Sequence, residues 1–190
     1  MNSLVAQLAL FVSTFTAFLV SAFYLVRFFE RKTIPNISLS FSFLLFLISS
    51  LFAFFQGSPN SMSLPVASVA MVTLYMGLVL DRYSALKYTL PLPFIALFLF
   101  KAHVSFLVLS FLVYIAVLEL AYQKEHTRLI PLVSAFTLVV VAGYFRVYGS
   151  VFQINSISET ILYLLASLIL LLWVTYYLMR KAIKLWRNQE

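Results

Sequence analysis

The chain is 190 residues long, with 63% hydrophobic residues, 10% charged residues and a mean hydropathy of +1.02. About a quarter of the residues of a soluble domain are charged, so this composition excludes a soluble globular protein. The formal net charge of +7 does not indicate nucleic-acid binding, because the basic residues lie in short stretches between apolar blocks, where they set the orientation of a membrane protein.

Apolar blocks of about 17–25 residues match the length that a helix needs to cross a bilayer. We therefore predict an all-α polytopic membrane protein, a seven-span helical bundle in the cell membrane that forms a single transmembrane domain over residues 1–190. The predicted spans are residues 4–26, 37–56, 64–80, 88–100, 104–122, 129–145 and 161–179.

The fourth predicted span, residues 88–100, is the shortest. A helix of this length covers only about 20 Å, so the span needs flanking residues to cross. Pro91 and Pro93 lie near its start, and we expect both in the first turn, where a missing N–H matters least. One interpretation is a short helix buried among its neighbours, and the other is a re-entrant or broken helix at a ligand site.

The basic residues indicate the orientation of the bundle. With seven spans, the N-terminus outside and the C-terminus in the cytoplasm, eleven of the thirteen Lys and Arg residues are cytoplasmic, and only Lys101 and Arg146 lie outside. The positive-inside rule favours this distribution, which is lost if span 4 does not cross. The eleven residues, which we call the basic inner face, are Arg27, Arg31, Lys32, Arg82, Lys87, Lys124, Arg128, Arg180, Lys181, Lys184 and Arg187.

The two halves share landmarks that indicate a three-plus-one-plus-three arrangement with a parallel repeat. Pro35 and Pro131 follow basic loops, and the segments NSMS at 60–63 and NSIS at 155–158 precede the last span of each half. The alternative is that such short matches arise by chance. The arrangement resembles that of the sugar-transporting SWEET and PQ-loop families, although the chain contains no Pro-Gln pair. The span count and orientation also resemble the small seven-helix sensor modules of prokaryotic signalling chains.

The sequence lacks the sets of residues that catalysis and metal binding require. The chain contains no cysteine, which excludes disulfides, thiolate catalysis and cysteine-ligated metals. His103 and His126 are its only histidines, and they are predicted on opposite sides of the membrane, so one subunit cannot bring them to one metal. The carboxylates offer no pair at a matching depth for acid–base work. We expect no enzymatic activity, no metal and no cofactor.

Four residues are candidates for ligand or lipid binding. Glu119 is an acid inside span 5, and ionisable groups within a membrane are functional candidates; the alternative is a carboxylate paired with a basic residue at the interface. Lys101, His103 and Arg146 are predicted near the outer surface, where together they would bind an anionic ligand or lipid head group. The alternative is three separate interfacial anchors.

The leading functional hypothesis is a non-catalytic sensor-type or accessory subunit. Its basic inner face would dock a membrane protein, a cytoplasmic protein or anionic lipid in the bilayer. The alternative is a small-solute facilitator with SWEET-like three-one-three architecture. A tightly packed interior with a docked neighbour would favour the first hypothesis, and a polar cavity at mid-membrane would favour the second. The candidate lining residues of such a cavity are Ser13, Thr14, Ser42, Ser49, Thr73 and Thr137.

Overall fold

The computed structural model describes residues 2–56, 63–80, 85–123, 129–149 and 156–187, and these ranges contain helices and no strand. Five of the helices (α1, α2, α5, α6 and α7) are long and apolar enough to cross a membrane, whereas α3 and the segment that contains α4 are shorter. In chain order the elements are α1 Asn2–Arg31, α2 Ile34–Gln56, α3 Ser63–Val79, a 3₁₀ helix Ala85–Thr89, α4 Pro91–Leu99, α5 Ala102–Gln123, α6 Ile130–Tyr148 and α7 Ser156–Arg187.

Two helices extend well beyond the apolar blocks that predicted them. α1 continues to Arg31 and α7 to Arg187, because arginine, lysine and leucine are good helix formers and the backbone hydrogen bonds can simply continue. The connection between α1 and α2 is only two residues long. Lys32 ends α1 with a left-handed φ of 47°, and its N–H donates to the Phe28 carbonyl at 2.6 Å, as at a typical αL helix terminus.

Six helices form a closed ring. α1 packs against α2 and α7, α2 against α3, α3 against α5, α5 against α6, and α6 against α7. α4 lies outside this ring against α5 and α3. It begins at Pro91, so both of its prolines lie in the first turn as predicted. Its buried side chains are the small Pro93 and Ala96, whereas Phe98 and Leu99 are 83% and 72% exposed. Small residues toward the neighbouring helix and large apolar ones outward are typical of a helix that contacts lipid.

The six ring helices differ in direction. Four of them begin at one end of the ring, which we call the α1 end: α1, α3, α5 and α7. The other two, α2 and α6, finish at this end. Side chains from the corresponding parts of all six helices line one cavity at this end. Representative lining residues are Val5, Ala53, Leu64, Phe106, Arg146 and Ile157.

The opposite half of the ring is packed. Its central side chains are at most 2% exposed and come from α1, α3, α5 and α7: Val20, Leu74, Val79, Val117 and Val174. Buried serines bond to the backbone of neighbouring helices here; Ser42 Oγ, for example, donates to the Ala70 carbonyl at 3.0 Å. Apolar packing and short interhelical hydrogen bonds are the usual means by which helices associate in a membrane.

Two glycines allow close approach between helices. A Cβ at Gly77 of α3 would lie 3.1 Å from Leu39 Cγ and 3.3 Å from the Leu39 backbone nitrogen of α2. A Cβ at Gly143 of α6 would lie 3.3 Å from the Leu107 Cδ1 methyl of α5. At Gly77 the neighbouring helix backbone itself is close, so a larger residue would have to separate α2 from α3.

Candidate functional site

A cavity of about 550 Å³ lies inside the ring at the α1 end. Along α1 its lining extends from Val5 to Ala17, which is about 18 Å of helix axis. Its size is within the usual range of small-molecule sites, and so is its composition, because such sites are mostly apolar with a few polar groups. The aromatic part of the lining comes from α2, α5, α6 and α7, as Phe43, Phe46, Phe106, Phe136 and Tyr163.

An ion pair connects two helices beside this cavity. Arg146 lies in the last turn of α6 and Glu159 in the first turn of α7. Arg146 Nε donates to Glu159 Oε1 at 2.8 Å, and the two side chains are only 14% and 17% exposed. Both charges are favourably placed, because a cation stabilises a helix C-terminus and an anion a helix N-terminus. Among the described residues that line the cavity, these two are the charged ones.

Tyr163 lies one turn after Glu159 and also lines the cavity. The Arg146 guanidinium carbon is 5.9 Å from the centre of its ring, a distance at which a cation is attracted to an aromatic face. The Tyr163 hydroxyl is buried and has no hydrogen-bond partner among the described residues. Arg146 is therefore positioned by a carboxylate and by a ring, both on α7.

Hydroxyl groups line the cavity at greater depth. The Ser13 and Ser167 hydroxyl oxygens are 2.8 Å apart and join α1 to α7, and Thr16 Oγ1 lies 3.3 Å from the Ser167 carbonyl. On the opposite wall Ser49 Oγ donates to the Ser63 carbonyl at 2.7 Å and joins α2 to α3. These bonds connect adjacent helices around the cavity, so its walls are fixed on two sides.

The cavity does not continue through the ring. Phe43, Phe136 and Leu170 line its deep end and also line a separate void of about 10 Å³ toward the opposite half. A void of that size holds no more than about one water molecule. Beyond this void lies the packed layer of buried valines and a leucine, Val20, Leu74, Val79, Val117 and Val174, so the described side chains leave no wide passage into the opposite half of the ring.

The structure places the four predicted ligand candidates in different surroundings. Arg146 lines the cavity, whereas Lys101 and His103 are exposed at the start of α5 and do not. Glu119 is half-buried near the end of α5, and its Oε1 accepts a hydrogen bond from Gln123 Nε2 at 3.0 Å. The structure thus brings Arg146 together with Glu159, and not with the other three candidates, whose binding roles stay predictions.

The six hydroxyl residues predicted for a mid-membrane cavity divide into two groups. Ser13 and Ser49 line the cavity. The other four donate to backbone carbonyls of their own or a neighbouring helix, as is common for Ser and Thr within helices: Thr14 to Leu10, Ser42 and Thr73 to Ala70, and Thr137 to Val133.

The basic inner face is described only in part. Arg31, Lys32, Lys87 and Arg180 are exposed. Arg27 differs, because its guanidinium carbon lies 5.4 Å from the ring centre of Phe23 and 5.6 Å from that of Tyr177. Arg82, Lys124 and Arg128 lie outside the described residues, and so do the side chains of Lys181, Lys184 and Arg187. The docking role of the whole set stays a prediction.

Glu159, Tyr163 and Ser167 of α7 were not among the predicted site residues. Glu159 lies outside predicted span 7, because the apolar block begins at Ile161, whereas α7 begins at Ser156. Tyr163 and Ser167 lie inside this apolar block. A helical signal was available: Glu159, Tyr163 and Ser167 are spaced four residues apart, and residues at this spacing share one face of a helix.

No protein-family model matches the chain, and neither a curated protein nor a solved structure matches it. Within the described ranges, no group of three or more His, Asp or Glu residues could hold a metal ion. The cavity and the residues that line it are therefore the features from which function can be inferred.

Proposed function

We propose that this chain is a ligand-binding membrane protein, a non-catalytic sensor or accessory subunit that takes up a small amphiphilic molecule at the α1 end. The observation that carries the proposal is the cavity of about 550 Å³, apolar in most of its lining and bordered by the pair of Arg146 and Glu159. Apolar walls supply affinity for the hydrocarbon part of a ligand, and a few placed polar groups fix its orientation.

The proposed orientation has seven segments across the cell membrane, with the α1 end outside and the C-terminus in the cytoplasm. α3 and α5 both begin at the α1 end, which supports a return of the chain across the bilayer between them. The 3₁₀ helix Ala85–Thr89 and α4 together cover roughly 24 Å. Lys101 is exposed just after α4, where a long cationic side chain can reach the outer interface.

The proposed architecture includes a parallel repeat of α1–α3 and α5–α7. Exchanging the two triplets leaves the neighbours in the ring unchanged, because α3 packs on α5 as α7 packs on α1. The second helix of each triplet begins with the same dipeptide, Ile34-Pro35 in α2 and Ile130-Pro131 in α6. Proline at the start of a helix is favourable on its own, so the shared isoleucine and the shared neighbours give this proposal its support.

In the proposed function, α7 extends from the cavity to the basic inner face, so a shift of this helix at one end would be transmitted to the other. Glu159, Tyr163 and Ser167 line the cavity, and the same helix continues to the exposed Arg180. Near the opposite end Tyr177 contacts the Arg27 guanidinium of α1. A ligand that shifts α7 would change both ends of this helix, and the inner end is the one that we propose to dock a protein partner or anionic lipid.

The second candidate function is a small-solute facilitator. The serines in the cavity favour it, because a polar solute needs hydrogen-bonding groups along its path. The packed layer below Phe136 and Leu170 argues against it, since a solute would have to separate several helices to leave on the other side. We therefore rank binding above transport.

The test is native mass spectrometry of the gently solubilised protein, comparing the unaltered chain with Ala67→Phe. Ala67 lines the cavity, so the larger side chain should fill it and remove a retained small molecule. Val69→Phe is the matched control, because Val69 lies on the same helix and is 39% exposed on its outer face. We expect a small molecule on the unaltered protein and on the control, and none on Ala67→Phe.

Two results would overturn the proposal. One is an unaltered protein that never retains a small molecule, and the other is a retained molecule that Ala67→Phe leaves in place. A transport assay in sealed vesicles separates the two functions, because a facilitator equilibrates its solute across the membrane and a binding subunit does not.

A further inference from the structure

The pair of Arg146 and Glu159 restricts the chemistry of the ligand. We propose that the cavity takes an amphiphile whose polar end has no net charge and offers both a hydrogen-bond acceptor and a donor, such as a primary amide or a zwitterion. This inference rests on the proposed function, because it assumes that a ligand enters the cavity. It adds the class of that ligand.

The charge of the site is the first argument. Arg146 and Glu159 contribute one positive and one negative charge, and among the residues that the structure describes no other charged side chain lines the cavity. A carboxylate end would therefore leave one negative charge in excess, a phosphate end one or two, and an ammonium end one positive charge. Excess charge in a weakly hydrated place is costly, whereas a balanced set of charges is not. A polar end without net charge keeps this balance.

The unused hydrogen-bonding capacity of the pair is the second argument. The guanidinium group carries five N–H donors, and within the described residues the contact to Glu159 uses the one on Nε. With respect to the described residues, the terminal amino groups remain as donors, and the carboxylate retains Oε2 and further lone pairs as acceptors. Arg146 and Glu159 therefore present donors and acceptors side by side. A ligand group that carries both a carbonyl oxygen and an N–H is complementary to that arrangement.

The rest of the cavity accounts for the apolar part of the ligand. Arg146 and Glu159 lie in the end turns of α6 and α7, and the cavity extends from there to Phe43, Phe136 and Leu170 at its deep end. A molecule with its polar end at the ion pair would place a hydrocarbon chain or ring system along these side chains. The depth of about 18 Å suits an elongated molecule.

The experiment compares three probes that share one tail and differ in charge: decanamide, decanoate and decylammonium. Each is added to the full chain in lipid nanodiscs, and binding is measured as the increase in thermal unfolding temperature with concentration. Ala67→Phe provides the baseline, so partitioning into the lipid is subtracted. We expect decanamide to bind at least about tenfold more tightly than either ion, the difference that one uncompensated polar group causes.

Two substitutions should each change which of the three probes binds most tightly. Glu159→Gln leaves a net positive site and should favour decanoate, and Arg146→Gln leaves a net negative site and should favour decylammonium. The exchanged double variant Arg146→Glu with Glu159→Arg keeps the site neutral and should restore the preference for decanamide. This double variant keeps the test meaningful if one single variant does not fold.

The outcomes separate the ligand class from the proposed function. If decanoate or decylammonium binds most tightly to the unaltered chain, the class is wrong while ligand binding stands. If the preference fails to follow the charge of residues 146 and 159, the class is again wrong. If no probe binds above the Ala67→Phe baseline, and the native protein also retains no small molecule, both the class and the proposed function are wrong.

Discussion

The Tyr75 hydroxyl of α3 donates a hydrogen bond to Thr89 Oγ1 at the end of the 3₁₀ helix. The direction of this bond follows from its neighbour, because the Thr89 hydroxyl donates its own proton to the Leu86 carbonyl at 2.6 Å. Tyr75 is 1% exposed and Thr89 is half-buried, so the bond is partly shielded from competing water. The bond connects the 3₁₀ helix that precedes α4 to α3 of the ring.

Removing this bond should loosen the α4 segment. We expect Tyr75→Phe to lower the free energy of unfolding by about 1 kcal/mol, the net value of a typical intramolecular hydrogen bond, and to speed amide exchange between Leu86 and Leu99. Denaturant titration in mixed micelles and hydrogen exchange give the two readouts. Tyr88→Phe is the control, since Tyr88 is 95% exposed; equal effects of the two substitutions would contradict the role of the bond.

Replacing Tyr163 with phenylalanine should not lower the free energy of unfolding. Its hydroxyl is buried without a hydrogen-bond partner among the described residues, and a buried polar group without a partner is unfavourable. We expect Tyr163→Phe to leave the free energy of unfolding unchanged or to raise it by up to about 1 kcal/mol. A loss of stability as large as that of Tyr75→Phe would show that the hydroxyl is bonded in the folded protein.

The two glycines at helix contacts should differ in their tolerance of a methyl group. Gly77→Ala places its Cβ against the Leu39 side chain and backbone, and we expect a loss of about 1–3 kcal/mol, as is typical of overpacking. Gly143→Ala meets the end of the Leu107 side chain, which can change rotamer. Its loss should be smaller, or should become a gain, because alanine favours a helix over glycine. Unfolding curves of the two variants in the same micelle decide between these expectations, and equal losses would count against them.

The energetic coupling between Arg146 and Glu159 can be measured with a double-mutant cycle. Arg146→Gln and Glu159→Gln each leave a poorly hydrated charge without its partner, whereas the double variant leaves none. We expect the double variant to be more stable than the sum of the single effects predicts, by about 1–3 kcal/mol. Additive effects in denaturant titrations would mean that the two charges do not interact.

The proposed orientation makes a labelling prediction. The chain contains no cysteine, so a single introduced cysteine is the only thiol. Lys101 and Lys87 are both exposed and lie on either side of α4. In intact cells a membrane-impermeant maleimide should label Lys101→Cys and not Lys87→Cys, and lysis should make both reactive. Labelling of both positions, or of neither, in intact cells would mean that the α4 segment does not cross the membrane.

The sequence was sufficient for the features that depend on local chemistry. The lengths of the apolar blocks predicted a helical protein with membrane-crossing helices, because the thickness of the bilayer fixes the number of residues required. Pro91 and Pro93 predicted the first turn of α4, because proline cannot donate a backbone hydrogen bond. Both inferences need no information about neighbouring helices.

The cavity could not be predicted in this way, because it depends on which faces of six helices meet. The sequence left two interpretations open for Arg146, a cluster with Lys101 and His103 or a separate interfacial anchor, and neither included its pairing with Glu159. That carboxylate entered the site because α7 starts five residues before the apolar block, and charged residues are allowed in the first turn of a membrane helix near the interface. Arg27 was assigned to a docking surface, and contacts with Phe23 and Tyr177 across two helices were not visible in the sequence.

The packed layer beneath Phe43, Phe136 and Leu170 has an electrical consequence. In the proposed orientation Arg146 and Glu159 lie in helix end turns near the outer interface, so both charges are on the same side of this layer. The transmembrane potential should therefore do little work on the ion pair. Because the packed layer offers ions no wide path, we expect the protein to leave an ion gradient across the membrane intact.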